Sequence, residues 1–335
     1  MRIMVTGSLA FDHLLTFPGL IADQIIRDQA ERISLSLLAD SMTIRRGGVA
    51  ANIALGLRRL GVHAIPVGAV GLDFGDYRSW LADNDVDLRA LHTSTSRHTA
   101  RFLCTSDLAG NQLATFYPGA MTEAAQIALP ALVDAYGPVD LVLISPDDPD
   151  AMLRHTRECR RHGYRFAADP SQQLATLGRD DIRELVEGAH LLFSNEYERS
   201  LLLEKSGWAA HEVSRRVAGW VTTDGPDGVR VERPGRPTLH VPSVAGTVVV
   251  DPTGGGDAFR AGFLAGLSWG LGDERAAQVG CGLAAVVLEH PGAQEYRWDP
   301  DGFLDRLAGA YGGAAAADIR TARAERAPTT KETTP

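Results

Sequence analysis

The chain has 335 residues, 44% of them hydrophobic and 22% charged, so it is long enough for a large core and has the composition of an ordinary globular protein. Its net charge of −9 argues against nucleic acid as the main partner. The three cysteines are far apart, the apolar N-terminus is too short for a signal peptide, and no run approaches the roughly 20 apolar residues of a membrane span, so we expect a cytoplasmic protein with reduced thiols and no membrane partner.

Short apolar runs alternate with helical patterns along most of the chain. The predicted strands are residues 3–7, 64–68, 141–145, 165–168, 191–193 and 219–223. The predicted helices between them include residues 49–59, 151–161, 180–187 and 197–205. This alternation predicts an α/β fold with a mostly parallel sheet and helices on both faces. In such a sheet, ligands bind at the carboxyl ends of the strands.

Two regions interrupt the alternation, at about residues 11–46 and 98–116. Both look extended, and segments 99–104 and 112–116 are expected to pair as a hairpin around residues 107–111. We expect a small β lid beside the main domain, or an association surface, because pairing two such lids in a homodimer would cover their exposed edges. Residues 312–335 are rich in Ala, Thr and charge, and they predict a frayed or disordered tail after a domain of residues 1–311.

Two motifs in the first half of the chain place polar groups beside a turn. A diglycine turn at Gly47 and Gly48 opens a helix that carries Asn52, whose amide both donates and accepts hydrogen bonds. An ordinary helix start with a buried asparagine is the favoured explanation of that motif alone. The segment Asp169-Pro170-Ser171-Gln172-Gln173 follows a predicted strand and suits a polar ligand. A helix cap explains it equally well.

Two further motifs follow the later strands. Asn195 and Glu198 lie one helical turn apart, a spacing that would let both face a hydrated Mg²⁺, which keeps several waters and few protein ligands. A helix N-cap with an acidic first turn is the alternative, and on that motif alone it is favoured. The segment from Thr223 through Gly225 to Gly228 is a glycine-rich turn that suits a nucleotide, although alone it is a generic turn.

The last motif is the most informative. An apolar run is followed by Gly254, Gly255 and Gly256, and then by Asp257 at the start of an apolar helix. Glycines let the backbone approach a ligand closely, and the free N–H groups of the helix start form an anion site. A carboxylate there would repel a bound anion, so Asp257 is better suited to accept a proton from a hydroxyl that attacks a phosphate. A tight turn without function is the alternative.

These five motifs, in this order and spacing, resemble the signatures of the ribokinase-like (PfkB) family of small-molecule kinases. Two signatures carry the resemblance: the Gly-Gly…Asn segment at 47–52 and the Asp-x-Thr-Gly-x-Gly-Asp-x-Phe segment at 251–259. The resemblance extends from Met1 to about Tyr311 and implies a three-layer α/β/α fold with a small β lid. Within the family, the chain is similar to bacterial adenosine kinases of actinobacterial type, in segments 5–14, 34–36, 98–102, 116–121 and 167–174.

The resemblance implies a role for each candidate residue. Asp257 is implied as the catalytic base and the amides of Gly254, Gly255 and Gly256 as the anion hole, with Gly255 at a position where the family usually has alanine. Asp12 would hold the two ribose hydroxyls, and aromatic walls would stack on the base. The implied nucleoside contacts are Ser8, Asp12, Ser36, Gly48, Asn52, Phe102, Phe116, Gln172 and Gln173.

The resemblance also implies ATP and Mg²⁺ as cofactors, with K⁺ as a further candidate. The implied ATP contacts are Asn195, Thr223, Gly225 and Gly228. Asn195 and Glu198 would hold Mg²⁺ through water, and Asp251 and Thr253 would lie near a monovalent cation.

The implied reaction is transfer of the ATP γ-phosphoryl group to the 5′-hydroxyl of adenosine, giving AMP for purine salvage. The alternative within the family is a sugar or other nucleoside kinase. A phosphosugar acceptor would need clustered cations, for which Arg27 and Arg101 are the candidates. Alternatives of a different class are a non-catalytic nucleoside-binding regulator and a structural interaction protein, but neither needs an intact anion hole beside Asp257.

Overall fold

The computed structural model describes residues 1–24 and 35–326. The strands, in chain order, are β1 (Arg2–Thr6), β2 (Ala10–Thr16), β3 (Ser41–Gly47), β4 (His63–Val70), β5 (Leu91–Thr93), β6 (Ala100–Ser106), β7 (Gln112–Tyr117), β8 (Leu141–Ile144), β9 (Phe166–Ala168), β10 (Leu191–Asn195), β11 (Trp220–Thr223), β12 (Val229–Glu232) and β13 (Leu239–Val241). The α-helices are α1 (Val49–Arg59), α2 (Gly75–Asp83), α3 (Leu129–Tyr136), α4 (Pro149–His162), α5 (Arg179–Val186), α6 (Glu196–Ser206), α7 (Ala210–Arg216), α8 (Gly255–Ser268), α9 (Asp273–Leu288), α10 (Pro300–Tyr311) and α11 (Gly313–Arg326).

Nine strands form the main sheet, in the order β13-β12-β11-β10-β9-β8-β1-β4-β5. All neighbours from β11 to β5 are parallel, whereas β12 and β13 add an antiparallel edge. The prediction of a mostly parallel sheet is therefore confirmed. The edge strands β12, β13 and β5 were not predicted, because three or four residues are too few to show a clear alternation.

The alternation of side chains along the central strands divides the core into two layers. On β1, Ile3 and Val5 belong to the hydrophobic cluster that also holds α1, α8 and α9, while Met4 belongs to the cluster on the other face with α4, α5 and α6. The strand β8 repeats this division, and all four of its residues are buried. Helices therefore cover both faces of the sheet, which is the predicted three-layer arrangement.

The two extended regions pair into a second sheet of four strands, in the order β3-β2-β6-β7. The predicted hairpin is present, because β6 and β7 pair antiparallel across residues 107–111. Part of the first region, residues 25–34, lies outside the described residues, and with it Arg27 and Ser34.

The predicted disordered tail is wrong for residues 313–326, which form helix α11. Its side chain at Ile319 is fully buried in the same hydrophobic cluster as Phe303 and Leu307 of α10. The alanine-rich composition gave no apolar repeat from which this helix could be predicted. Packing of three buried residues, Ala315, Ala316 and Ile319, attaches it to the fold. Residues 327–335 lie outside the described part of the chain. No helix in the described ranges has both the length and the apolar character needed to cross a bilayer.

Candidate functional site

The glycine turn starts α8 with two backbone N–H groups that have no acceptor among the residues the structure describes. Gly254 caps the helix in the left-handed conformation, with a φ of 80°, and an added Cβ would collide with Ala293. A Cβ at Gly255 would lie 2.8 Å from Leu288 Cδ2. Within the described residues, the amides of Gly256 and Asp257 make no hydrogen bond. Together with the positive end of the helix dipole, they can hold an anion such as a phosphate group.

Asp257 lies in the first turn of α8, directly beside these amides. Its Oδ2 accepts a hydrogen bond of 2.8 Å from Asn52 Nδ2, so the diglycine motif and the last motif meet in space. Its Oδ1 makes no hydrogen bond to any described residue. Burial raises the pKa of Asp257, although the charge of Arg260 and the hydrogen bond from Asn52 oppose this effect. A carboxylate with a raised pKa beside an anion site is suited to accept a proton.

Arg260, which the sequence analysis missed, connects this helix to the segment after β9. Its guanidinium meets the fully buried carboxylate of Asp169, with Nε 2.6 Å from Oδ2 and Nη2 2.6 Å from Oδ1. Burial raises the pKa of Asp169, and the guanidinium opposes that shift. A long helical side chain points back toward the N-terminus of its helix, which brings Arg260 to the turn that holds Asp257. Arg260 lies three residues after Asp257, and this helical spacing could have predicted from the sequence that the two side chains are neighbours.

A second residue missed from the sequence is the fully buried Gln294. Its Nε2 donates a hydrogen bond of 2.8 Å to Asn52 Oδ1. The two residues are 242 positions apart, and no motif surrounds Gln294, so only the folded chain shows this contact.

The predicted substrate contacts on the second sheet form one row. Asp12 on β2 pairs in register with Phe102 on β6, and Phe102 pairs in register with Phe116 on β7. Residues directly opposite one another point to the same face of a sheet, so the carboxylate and both rings share one face. A pairing shifted by one residue would have turned Phe102 or Phe116 to the opposite face, and the observed register excludes it.

Asp12 also lies close to the diglycine turn. A Cβ added at Gly47 would lie 2.7 Å from Asp12 Oδ2, and one added at Gly48, whose φ is 94°, would lie 2.6 Å from the Ser8 carbonyl oxygen. Burial, followed by the charges of Asp251, Glu295 and Asp257, raises the pKa of Asp12 to about 6. The hydroxyl of Ser8 accepts from the Val49 amide at 3.2 Å and therefore caps α1. These contacts place Asp12 and Ser8 beside the start of α1.

The remaining polar candidates, Ser36, Gln172 and Gln173, differ in their exposure and in their hydrogen bonds. Ser36 is exposed and makes no hydrogen bond within residues 1–24 and 35–326. Gln172 is exposed, whereas the amide of Gln173 donates to the Asp147 carbonyl at 2.7 Å and accepts from the Thr176 hydroxyl at 2.9 Å. Of the two glutamines, only Gln172 has a side-chain amide without a hydrogen bond to a described residue, and no contact to a described residue links Ser36 to the other candidates.

Asn195 and Glu198 form a capping box at the start of α6. Asn195 Oδ1 accepts from the Glu198 amide, and Glu198 Oε2 accepts from the Asn195 amide, each at 2.8 Å. The other oxygen of Glu198 accepts from the Ser171 hydroxyl at 3.0 Å. The alternative of a helix cap is thus realised, yet each carboxylate oxygen keeps a lone pair for a water molecule.

The predicted nucleotide turn follows β11, next to the capping box. Thr223 pairs in register with Asn195 on β10. Gly225 and Gly228 have φ values of 58° and 100°, and a Cβ at Gly228 would collide with the Val241 carbonyl oxygen. The turn is held by Asp224, whose carboxylate accepts from Arg230 Nε at 2.6 Å and Nη2 at 2.7 Å. Both motifs therefore lie at the carboxyl edge of the main sheet.

Asp251 and Thr253 belong to the loop before the glycine turn. The Asp251 carboxylate accepts from the amides of Thr253 at 2.9 Å and Gly292 at 2.8 Å. Burial would raise the pKa of Asp251, but these hydrogen bonds outweigh it and lower the pKa. In the described residues, no group of three or more His, Cys, Asp or Glu side chains is arranged to hold a metal ion.

Comparison with known proteins places this geometry in context. The model of the pfkB family of carbohydrate kinases matches residues 13–299. A nucleoside kinase of Methanocaldococcus jannaschii is 27% identical over 263 residues, which cover 78% of this chain and 85% of that protein.

Solved structures of kinases are also similar to this chain. A nucleoside kinase of Burkholderia thailandensis in complex with inosine has a TM-score of 0.82 and 30% identity, over 93% of this chain and 98% of that one. A ribokinase of Cryptococcus neoformans in complex with ADP has a TM-score of 0.73 and 22% identity, over 91% of this chain and 99% of that one, and supports the fold alone.

Proposed function

Because the chain belongs to the pfkB family of carbohydrate kinases, we propose that it transfers the γ-phosphoryl group of ATP to the 5′-hydroxyl of a nucleoside, with adenosine as the preferred acceptor. The observation that carries this proposal is the row of Asp12, Phe102 and Phe116 on one face of the second sheet. A carboxylate accepts hydrogen bonds from two vicinal ribose hydroxyls, and a purine stacks on an aromatic ring. Asp12 thus fits the sugar and the two rings fit the base.

The chemistry follows from the groups around the glycine turn. Asp257 accepts the proton of the 5′-hydroxyl while the hydroxyl oxygen bonds to the γ-phosphorus. The bond between the γ-phosphorus and the oxygen of the β-phosphate breaks, which gives AMP and ADP. The free amides of Gly256 and Asp257 stabilise the charge on the transferring group. The row on the second sheet holds the acceptor in line and excludes water, which limits ATP hydrolysis.

The donor sites fit the expected cofactors. Mg²⁺ bound with ATP supplies charge neutralisation on the phosphates. Glu198 and Asn195 would hold it through water, since each oxygen of Glu198 keeps one lone pair beyond its protein hydrogen bond. The turn from Thr223 to Gly228 would hold the nucleotide of ATP. Asp251 and Thr253 would lie near a K⁺ ion, and the reaction would take place in the cytoplasm, where ATP and reduced thiols are found.

Inosine is the second candidate acceptor, favoured by the similarity to a kinase solved with inosine. The exposed amide of Gln172 can donate to the oxo edge of hypoxanthine or accept from the amino edge of adenine. A sugar phosphate fits less well, because the guanidinium of Arg101 is already paired with Asp73 at 2.5 Å.

The test measures ADP release from Mg·ATP with adenosine, inosine, guanosine, ribose or fructose 6-phosphate as acceptor, in the wild-type chain and in Asp257→Asn. We expect the largest kcat/KM with adenosine and a loss of roughly 10²–10⁴-fold in the variant, the usual contribution of a general base. A preference for inosine would change the acceptor and keep the mechanism. Turnover with sugars alone would contradict the nucleoside assignment, and near-normal turnover in Asp257→Asn would contradict the base.

We also propose that the chain forms a homodimer through the second sheet. The face opposite the Asp12 row carries Met42, Ile44 and Leu103, which are 59%, 53% and 38% exposed. Several exposed apolar side chains on one face of a sheet favour a partner, and a second copy covers them symmetrically. Sedimentation should give a dimer mass for the wild-type chain and a monomer mass for Ile44→Lys. A monomer mass at every wild-type concentration would remove this proposal.

A further inference from the structure

A continuous line of hydrogen bonds, buried at its centre, leads from α2 to the carboxylate of Asp257. The side chain of Gln294 is its centre: the amide accepts from Trp80 Nε1 at 3.2 Å, and it donates to the Tyr77 hydroxyl and, at 2.8 Å, to Asn52 Oδ1. Asn52 Nδ2 then donates to Asp257 Oδ2 at 2.8 Å. Asn52 and Asp257 belong to the two signature motifs, whereas Gln294, Tyr77 and Trp80 lie outside them.

Trp80 and Tyr77, at the end of this line away from Asp257, decide which group donates and which accepts in every hydrogen bond. An indole N–H can only donate, so the atom of Gln294 that faces Trp80 must be the carbonyl oxygen. The Tyr77 hydroxyl donates its single hydrogen to the Gly47 carbonyl at 2.8 Å, and a carbonyl can only accept. Tyr77 must therefore accept from Gln294, which requires the amide nitrogen on that side. Burial raises the pKa of Tyr77, so its phenol keeps the hydrogen that this argument needs.

The orientation of Gln294 in turn fixes Asn52. A nitrogen on Gln294 needs the carbonyl oxygen of Asn52 opposite it, and this leaves the Asn52 amide group facing Asp257. If the amide of Asn52 rotated by half a turn, its oxygen would face the carboxylate, and only a protonated Asp257 could meet it. The amide oxygen and nitrogen of an asparagine are otherwise interchangeable in shape, so the partners decide.

We propose that Gln294 is a positioning residue, oriented by Trp80 and Tyr77, that holds the Asn52 amide toward Asp257 and so keeps the base ionised with Oδ1 free for the acceptor hydroxyl. The inference rests on the proposed function in one respect only, the role of Asp257 as base. The ionised state is otherwise opposed, because the site also contains Asp12 on β2, Asp169 after β9 and Glu198 on α6. Among the described residues, two cations act on these groups: Arg260, which is already paired with Asp169, and Arg45, whose charge acts on Asp12.

Two substitutions at Gln294 separate orientation from packing. Gln294→Met keeps the length of the side chain and removes its polar groups, which frees Asn52 to rotate. Gln294→Glu adds an acceptor that attracts the Asn52 amide group and turns the Asn52 oxygen to Asp257. We expect kcat to fall roughly tenfold in the first variant and further in the second, because a hydrogen bond to a charged group is worth about one to two tenfold steps. The nucleoside KM should change less than kcat.

The decisive readout is the titration of the Asp257 carboxyl, followed by carbon-13 NMR and assigned with Asp257→Asn. We expect its pKa to rise by about one unit in Gln294→Met and by more in Gln294→Glu. The acidic limb of kcat/KM should move to higher pH by the same amount. Trp80→Phe, which removes only the donor at the half-buried end of the line, should give a smaller shift in the same direction and covers the case in which a Gln294 variant does not fold.

The matched control is Gln278→Met, which changes a buried glutamine on α9 that contacts Arg275 instead. It should lower thermal stability and leave the Asp257 titration unchanged. If Gln294→Met or Trp80→Phe behaves in the same way as this control, Gln294 serves folding alone and the inference is wrong. Absence of acceptor-dependent turnover in the wild-type chain would count against the proposed function instead, while the NMR titration still decides the role of Gln294.

Discussion

The residues around the glycine turn combine several carboxylates with very little positive charge. Asp12, Asp169 and Asp257 all have raised pKa values, and in each case burial is the largest cause. Burial of one carboxylate also strengthens the repulsion from the others, because the surroundings screen charge poorly. A site built in this way is poised for a ligand that brings cations or donates hydrogen bonds.

The raised pKa of Asp12 predicts a pH dependence of nucleoside binding. Its pKa is about 6 in the folded chain against an ordinary value of 3.8, so the folded state holds the proton more tightly, and the contribution of Asp12 to stability is full below about pH 4 and is lost as pH rises through 6. The ionised form, which accepts from two hydroxyls, dominates above pH 6. Calorimetric titration without ATP should show the nucleoside Kd rising roughly tenfold per unit as pH falls below 6.

Asp12→Asn provides the control for this dependence. The amide keeps one acceptor and no charge, so binding should be weaker by roughly 10- to 100-fold and independent of pH between 5 and 7. A wild-type Kd that stays constant down to pH 5 would show that Asp12 does not act through its charge.

The ion pair of Arg260 and Asp169 predicts an asymmetric effect on stability. Arg260→Met should lower the free energy of unfolding by about 3–5 kcal/mol, because it leaves a buried carboxylate without a partner. The double variant with Asp169→Asn should recover a large part of that loss in urea unfolding. Equal losses in the single and double variants would show that the two groups are not energetically coupled.

At the scale of elements, the last helix attaches to the fold with a single large side chain. Ile319 of α11 is fully buried against the cluster that contains α10. Ile319→Ala should therefore lower the free energy of unfolding by about 2–5 kcal/mol, the usual range for a buried isoleucine. Leu72→Ala, at a position that is 62% exposed, is the control and should change stability by less than about 0.5 kcal/mol. Equal melting temperatures for the two variants would show that α11 does not contribute to the core.

The sequence predicted the elements whose side chains follow a clear period. Strand β8 and helix α1 were found because buried apolar runs and a helical repeat distinguish them. Helix α11 was missed because its alanines look the same in a tail and in a helix. At the site, Asp257 and Asn52 lie in glycine-rich motifs and were predicted, whereas Gln294 is brought to Asn52 only by folding. Local patterns reveal local geometry, and contacts across the chain need the tertiary structure.

At the scale of the whole molecule, the second sheet is joined to the main domain beside the site. Only three residues separate the end of β1 from the start of β2, and β3 ends at the turn that opens α1. Any motion of the second sheet relative to the main domain therefore changes the distance between the Asp12 row and Asp257. This arrangement suits a segment that closes over a bound ligand.

Amide hydrogen exchange, measured with and without a nucleoside, tests whether the second sheet closes over a bound ligand. Adenosine should slow amide exchange in β2, β6 and β7, which carry the row, and should leave the antiparallel edge strands β12 and β13 unchanged. Equal protection of both regions would indicate general stabilisation of the fold, and no protection of β6 and β7 would place the nucleoside elsewhere.

The period of two along β6 has a practical consequence for anyone who wishes to redesign this protein. Phe102 and Cys104 point to the face that carries the row of Asp12, while Arg101 and Leu103 point to the opposite face, where Leu103 is exposed. The proposed acceptor contacts and the proposed dimer surface can therefore be altered by separate libraries on the same strand, one at even and one at odd positions. An insertion of a single residue would exchange the two sets of side chains and disrupt both surfaces at once.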